Sequence, residues 1–89
     1  MKKLPSRVAV VSSQFQEDLR FWIETDRKTA LRVLDLMRAI LDDPFDGIGK
    51  PEALKFDFAG CWSRRITQEH RLVYRVTAER IEFHLARYH

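Results

Sequence analysis

The chain has 89 residues, which is enough for one domain with a single modest core. Its composition, 45% hydrophobic and 33% charged, is typical of a folded globular protein and excludes a disordered chain. The net charge of +3 favours an anionic partner such as nucleic acid without requiring one.

The cysteine count and the hydropathy pattern narrow the setting further. Cys61 is the only cysteine, so no internal disulfide can form, and no cysteine or histidine spacing indicates a zinc site. No apolar run is long enough to cross a membrane, and no apolar signal segment follows the basic start of the chain. We therefore expect a cytoplasmic protein with no metal, no cofactor and no membrane partner.

The first elements in chain order are a short strand and a helix. Residues 7–11 form a continuous apolar run, which indicates a strand. Ser13 and Gln16 fit a capping box, so a first helix is expected to begin there. The apolar stripe of this helix is formed by Phe15, Leu19, Trp22 and Ile23.

The second helix has the clearest helical period in the sequence. Residues 24–26 break the first helix and cap the second, and residues 42–44 end it. Its stripe comprises Ala30, Val33, Leu34, Met37, Ile40 and Leu41. The cations off this stripe, which form either a solvated face or a surface for nucleic acid, are Arg27, Lys28, Arg32 and Arg38. Two amphipathic helices with a tight break predict an αα-hairpin.

A glycine-rich loop and a strand follow the helices. The loop covers residues 44–51, and its residues 47–50 resemble part of a phosphate-binding loop. The Walker spacing is missing, however, and Pro51 stands where a Ser or Thr would bind Mg²⁺. Residues 52–58 are predicted to form a strand, because their apolar residues alternate with polar ones. These apolar residues are Leu54, Phe56 and Phe58.

Residues 62–74 are predicted to form a β-hairpin around a polar turn at residues 67–69. With a three-residue loop, Arg65 lies directly opposite Arg71. One face then carries Trp62, Ile66, Leu72 and Tyr74 as a core, and the other carries Ser63, Arg65, Arg71 and Val73. Opposed arginines repel, so we expect an anion between them, whereas a two-residue loop would separate the pair.

The last predicted strand runs over residues 80–89, with Ile81, Phe83 and Leu85 on one side. The order β-α-α-β-β-β-β predicts an α+β fold in which two N-terminal helices pack on one face of a twisted, mainly antiparallel sheet. The opposite face is expected to stay open. Strand parity places His89 on the core side, and a bulge or twist would be needed to turn it toward the open face.

Five polar residues would together make a metal-free site for cutting RNA: Glu52, Lys55, Arg65, Arg71 and His89. Attack by the 2′-hydroxyl needs a base, cations around the crowded phosphorane and an acid for the departing oxygen. Two alternatives remain open. The same residues could bind phosphate without cutting, and either Glu52 or His89 could be an ordinary solvated side chain.

Several motifs resemble one known family. They are Thr25-Asp26, Asp43-Pro44-Phe45, Gly47-Ile48-Gly49-Lys50-Pro51-Glu52, Leu54-Lys55, Gly60, Trp62-Ser63-Arg64-Arg65-Ile66-Thr67, Glu69-His70-Arg71-Leu72-Val73-Tyr74 and Arg87-Tyr88-His89. The pattern resembles the YoeB (Txe) toxins of bacterial toxin–antitoxin modules, within the RelE superfamily. It covers nearly all of residues 1–89, which we treat as a single domain. Family members commonly carry a further tyrosine after the histidine with which this sequence ends.

The resemblance implies a RelE-like fold and an endoribonuclease that enters the ribosomal A site and cuts mRNA. It implies that Glu52 is the general base, His89 the general acid and Arg71 the group that stabilises the transition state. Lys55 and Arg65 would help to hold phosphate, and we place Tyr88 with them as a substrate contact. The implied partners are mRNA, the ribosome, a YefM-type antitoxin, operator DNA through the antitoxin complex, and a second toxin copy.

Two other functions stay open at this point. Related ParE-type toxins share the fold, poison DNA gyrase and lack the acid–base residues. The protein could also act mainly as a co-repressor that sharpens binding of the antitoxin to DNA.

Overall fold

The structure, a computed structural model, describes residues 7–89. The basic start of the chain, on which the expectation of no signal segment depends, lies outside the described residues. The elements are β1 (Val8–Val11), α1 (Ser13–Thr25), α2 (Arg27–Asp42), β2 (Glu52–Ala53), a 3₁₀ turn (Phe56–Phe58), β3 (Cys61–Arg65), β4 (Arg71–Val76) and β5 (Arg80–Tyr88). Neither helix in this part of the chain is long and apolar enough to cross a membrane.

The five strands form one mixed sheet in the order β1-β5-β4-β3-β2. Strands β2 to β5 follow each other as the expected antiparallel meander, and β1 pairs with β5 in parallel. The parallel pairing is possible because the two helices separate β1 from the other strands and carry the chain back across the sheet. The predicted α+β architecture, with two helices and a mainly antiparallel sheet, is confirmed.

Both helix starts are fixed by side-chain caps, one of them a residue earlier than expected. Ser12, rather than Ser13, caps α1, and its hydroxyl oxygen accepts from the Phe15 amide at 3.0 Å. Asp26 caps α2 and accepts from the Thr29 amide at 3.2 Å and the Thr29 hydroxyl at 2.8 Å. These two hydrogen bonds hold the pKa of Asp26 below its usual value.

The core lies between the helices and one sheet face, and it differs from the predicted stripes in four positions. Ile23, Leu34 and Leu41 are exposed, whereas Leu36 is completely buried. The helices therefore face the sheet with a narrower stripe than periodicity suggests. The buried helix residues with apolar side chains are Phe15, Trp22, Ala30, Val33, Leu36 and Ile40. They pack against sheet residues that include Leu72, Tyr74, Ile81 and Phe83.

The predicted strand over residues 52–58 is wrong beyond Ala53. Phe56 has φ = +58°, which no strand residue adopts, and the chain forms the 3₁₀ turn instead. The amide of Phe58 donates to the Lys55 carbonyl at 3.2 Å. Apolar and polar residues do alternate here, but this pattern does not predict the positive φ of Phe56.

Strand β5 contains irregularities that change which of its side chains face the helices. Its register against β4 shifts on both sides of the Val73–Leu85 pair. Leu85 therefore lies opposite Val73, away from the helices, and Ala86 is buried in its place. Helix α1 fixes this bulge. The buried Asp18 carboxylate accepts from the Ala86 amide at 2.9 Å, and the indole of Trp22 donates to the Ala86 carbonyl at 2.8 Å.

Candidate active site

The β3–β4 hairpin has the three-residue loop that the sequence favoured. Arg65 lies opposite Arg71 in the ladder, and the Ile66 amide donates to the His70 carbonyl at 2.9 Å. Both arginines leave the sheet on the face turned away from the helices, which we call the site face. Two like charges are therefore held side by side where an anion can bind both.

Arg71 is the most firmly held group on the site face. Its Nε donates to the Ser63 hydroxyl at 2.7 Å, and one terminal nitrogen donates to the Lys50 carbonyl at 3.1 Å. The same nitrogen lies 3.4 Å from a carboxylate oxygen of Glu52. The side chain of Arg71 is 20% exposed and that of Glu52 is 68% exposed. A fixed cation thus stands beside an accessible carboxylate.

Lys55 and Arg65 are both exposed, and Arg65 lies opposite Arg71 in the ladder. Neither forms an ion pair with any residue in the described part of the chain. The backbone of Arg65 is nevertheless well anchored. Its amide donates to the Gly49 carbonyl at 2.7 Å, and its carbonyl accepts from Arg32 at 3.2 Å. Both side chains can therefore turn toward an anion without disturbing the sheet.

The end of β5 brings a tyrosine to the site, whereas the ring of the last residue lies beside His70. Tyr88 pairs with Arg71 across β4 and β5, and its ring packs at 5.1 Å from that of Phe58. The His89 ring is exposed and lies 5.6 Å from the ring of His70. The structure thus brings Glu52, Arg65, Arg71 and Tyr88 together. It does not bring the His89 ring to them, because His70, which that ring contacts, packs at 5.1 Å from the indole of Trp22 on α1.

The site face is less open than expected. Ser63 and Val73 lie on it and are fully buried. The 3₁₀ turn lies over this face, where Phe58, Cys61 and Arg75 line a shared groove. Burial raises the pKa of the Cys61 thiol, which disfavours its reactive thiolate.

Sequence reasoning missed Arg64, the neighbour of Arg65 on β3. Arg64 is fully buried on the helix side of the sheet, and no carboxylate of the described residues pairs with it. Its guanidinium instead donates to carbonyls of the loop over residues 43–48, those of Asp43, Asp46 and Ile48. Strand parity could have shown this position, because Arg64 lies two residues from each of the core residues Trp62 and Ile66 and therefore shares their face.

Tyr74 completes this buried network. Its hydroxyl accepts from Arg64 at 3.2 Å and donates to the Pro44 carbonyl at 2.7 Å. Burial raises the pKa of Tyr74, so the hydroxyl keeps the proton that it donates. The loop is thus tied to the core at four carbonyls.

The same loop also positions the site, because it leads to the residue whose carbonyl binds Arg71. It leaves Arg64 through Gly49, where an added Cβ would lie 2.9 Å from Leu36. Lys50 then adopts φ = +52°, and this conformation presents the carbonyl that holds Arg71. Left-handed backbone at a non-glycine residue is costly and is concentrated at functional sites.

Known proteins resemble this chain over most of its length. Residues 11–89 match the family described as the YoeB-like toxin of bacterial type II toxin-antitoxin systems. The toxin YoeB of Mycobacterium bovis is 53% identical over 73 residues, which cover 82% of this chain and 86% of that protein. The toxin YoeB of Escherichia coli K12 is 44% identical over 78 residues, which cover 88% and 93%.

Solved structures agree in fold. A YoeB/ParE toxin from Agrobacterium tumefaciens is 45% identical, with a TM-score of 0.86 and coverage of 92% of this chain and 98% of that one. The YoeB dimer from Staphylococcus aureus is 36% identical, with a TM-score of 0.85 and coverage of 96% and 99%. A heterotetrameric YoeB–YefM complex from the same organism has a TM-score of 0.82, 36% identity and the same coverage.

Proposed function

Because the chain belongs to the YoeB family of toxins from bacterial type II toxin–antitoxin systems, we propose that it is an endoribonuclease that cuts mRNA in the ribosomal A site and so inhibits translation. The observation that carries the proposal is the contact between Glu52 and Arg71. It joins an accessible carboxylate to a cation that the protein holds in place.

The reaction begins with the 2′-hydroxyl of the message. Glu52 takes its proton, and the resulting oxygen attacks the adjacent phosphorus. The position of Glu52 supports this role, because β2 pairs Glu52 with Ser63 and so holds it beside the arginines. Its high exposure leaves the carboxylate free to reach a substrate.

Negative charge then develops on the phosphorane. Arg71, already oriented by Ser63 and Lys50, stabilises this charge without having to reorganise. Arg65 and Lys55, which are exposed, bind the non-bridging oxygens and hold the phosphate in register. Tyr88 forms the wall of the site beside Arg71.

The bond from phosphorus to the 5′-oxygen breaks last. His89 gives a proton to the departing oxygen, which leaves a 5′-hydroxyl on one fragment and a 2′,3′-cyclic phosphate on the other. The family resemblance carries this assignment, and the exposed His89 ring has to turn away from His70 to reach the departing oxygen. The base, the cations and the acid all come from side chains, so the scheme uses no cofactor.

The partners follow from the family and from the two S. aureus structures. YoeB of S. aureus is known both as a dimer and in a complex with YefM. We propose that this chain is likewise neutralised by a YefM-like antitoxin, can form a homodimer, and reaches operator DNA through the antitoxin complex. Its targets, mRNA and the ribosome, place its action in the cytoplasm.

Cleavage of a translated message on purified ribosomes, mapped by primer extension, tests the proposal. We expect Glu52→Gln to lower the cleavage rate by about 10²- to 10⁴-fold, because it removes the base while keeping the shape of the side chain. Glu24→Gln is the matched control, since Glu24 is an exposed glutamate of α1 whose one ion-pair partner within residues 7–89 is Arg20.

Cleavage at the wild-type rate by Glu52→Gln would refute the assigned chemistry. A gyrase supercoiling assay with the wild-type chain separates the ParE-like alternative, for which we expect no inhibition. An operator shift by the antitoxin complex that persists with Glu52→Gln would identify co-repression as a separate activity.

A further inference from the structure

Phe56 combines two properties that folding does not explain. Its side chain is 90% exposed, the largest exposure among the large hydrophobic residues in the described part of the chain. Its backbone is left-handed, with φ = +58°. An aromatic residue in this conformation is strained, and an exposed ring returns no burial energy to the fold.

Two backbone hydrogen bonds hold the turn around Phe56. The amide of Phe58 donates to the Lys55 carbonyl, and the amide of Ala59 donates to the Phe56 carbonyl at 3.0 Å. The Phe58 ring points to the sheet and packs against Tyr88. The 3₁₀ turn therefore directs one ring toward the active-site wall and the other outward.

The other exposed rings and the other strained residue behave differently. Phe45 is 50% exposed, but its ring packs at 5.3 Å from Trp62, whereas Phe56 contacts no aromatic ring within residues 7–89. Lys50 is the only other non-glycine residue in that range with positive φ, and its carbonyl holds Arg71. Strain in this chain is thus used elsewhere to build the site.

We propose that Phe56 is a stacking platform for a nucleobase of the RNA that occupies the active site, one that flanks the scissile phosphate. This inference rests on the proposed nuclease function and extends it to a base-binding contact. Lys55, the residue before Phe56, is a phosphate ligand in that scheme, so the chain that binds the backbone also presents the ring.

The chemistry of the position favours a base over a phosphate or a peptide. Phe56 lies between Lys55 and Asp57, so the local charge is balanced and the ring offers a flat apolar surface instead of an ionic contact. Single-stranded nucleic acid is bound by such exposed rings beside cationic side chains, and stacking tolerates any base.

Phe56→Gly is the decisive variant because it should move two measurements in opposite directions. Glycine accepts positive φ, so we expect the thermal midpoint to rise by a few degrees. Loss of the ring should weaken binding of a short single-stranded RNA, methylated at its 2′-oxygens to prevent cleavage, by about 5- to 100-fold. The apparent KM on programmed ribosomes should rise with it, with kcat less affected.

Three further variants separate the ring from the backbone. Phe56→Ala loses the ring but keeps a Cβ, so we expect the same loss of RNA affinity without the gain in stability. Phe56→Trp should restore RNA affinity. Leu34→Ala removes an exposed apolar side chain of α2, on the other side of the sheet, and should leave RNA affinity unchanged.

The outcomes distinguish this inference from the proposed function. If the wild-type chain cuts ribosome-bound mRNA and Phe56→Gly retains its RNA affinity and KM, the platform is refuted while the nuclease stands. Weaker binding of the antitoxin by Phe56→Gly, with RNA binding unchanged, would show that Phe56 contacts protein and would also refute it. If the wild-type chain cuts no message, the nuclease assignment itself fails.

Discussion

Arg64 and Arg65 follow each other on β3, and their side chains leave opposite faces of the sheet. Arg64 is fully buried, and its guanidinium donates hydrogen bonds to three loop carbonyls and the Tyr74 hydroxyl. Arg65 is exposed, and only its main chain is fixed. One arginine therefore builds the loop that shapes the site, and the other is left available to a substrate.

A buried arginine lets this small protein support a rigid site with a modest core. Because Arg64 binds carbonyls and not a carboxylate, it imposes a loop path instead of pairing two side chains. That path ends at Lys50 and β2, which hold Arg71 and Glu52. The order of the site thus originates on the opposite face of the sheet.

The largest effect on stability is expected from the buried arginine. Arg64→Met keeps the length of the side chain but removes three hydrogen bonds from a charged donor to part-buried carbonyls, and we expect it to lower the free energy of unfolding by about 3–5 kcal/mol. Urea denaturation followed by circular dichroism measures this change. A loss below about 1 kcal/mol would show that water replaces the guanidinium and that the loop does not depend on it.

The exposed arginine should give the opposite result. Arg65→Met is expected to leave the free energy of unfolding within about 0.5 kcal/mol of the wild type. It should slow cleavage of ribosome-bound mRNA by about 10- to 100-fold, because one charge-assisted contact to phosphate is lost. Equal destabilisation by Arg65→Met and Arg64→Met would remove the distinction between the two residues.

Much of the fold, including which face of the sheet each arginine occupies, could be predicted from the sequence. The length of the turn after Ile66 determines which side chains share a face, so the opposition of Arg65 and Arg71 followed on the condition of a three-residue loop, which the structure has. The caps and breaks around Asp26 and Asp43 located both helices to within a residue or two. Local rules of this kind depend only on neighbouring residues.

Features that depend on distant contacts could not be predicted in this way. The bulge in β5 is held by Asp18 and Trp22 of α1, and the sequence of β5 alone does not predict it. Residues 54–58 alternate as a strand would, yet the left-handed Phe56 ends the pairing. Arg64 was identifiable by parity, but the loop carbonyls that bind it lie 16 to 21 residues earlier in the chain.

A smaller effect is expected from Tyr74, which links Arg64 to the loop. Tyr74→Phe removes one hydroxyl and leaves Arg64 Nε and the Pro44 carbonyl without that partner, so we expect a loss of about 1–3 kcal/mol. The pH dependence should separate this hydroxyl from other sources of stability. Because burial raises the pKa of Tyr74, the unfolded chain ionises before the folded one as pH rises.

The sign of that effect is fixed by the direction of the shift. The stabilising contribution is complete below the ordinary tyrosine pKa of about 10 and is lost as pH rises through the higher folded value. We therefore expect the wild type to lose stability above about pH 10 more steeply than Tyr74→Phe. Tyr88→Phe is the matched control, since its hydroxyl forms no hydrogen bond within residues 7–89 and its removal should leave the slope close to that of the wild type. Parallel slopes for the wild type and Tyr74→Phe would show that the hydroxyl is not the titrating link between the buried arginine and the loop.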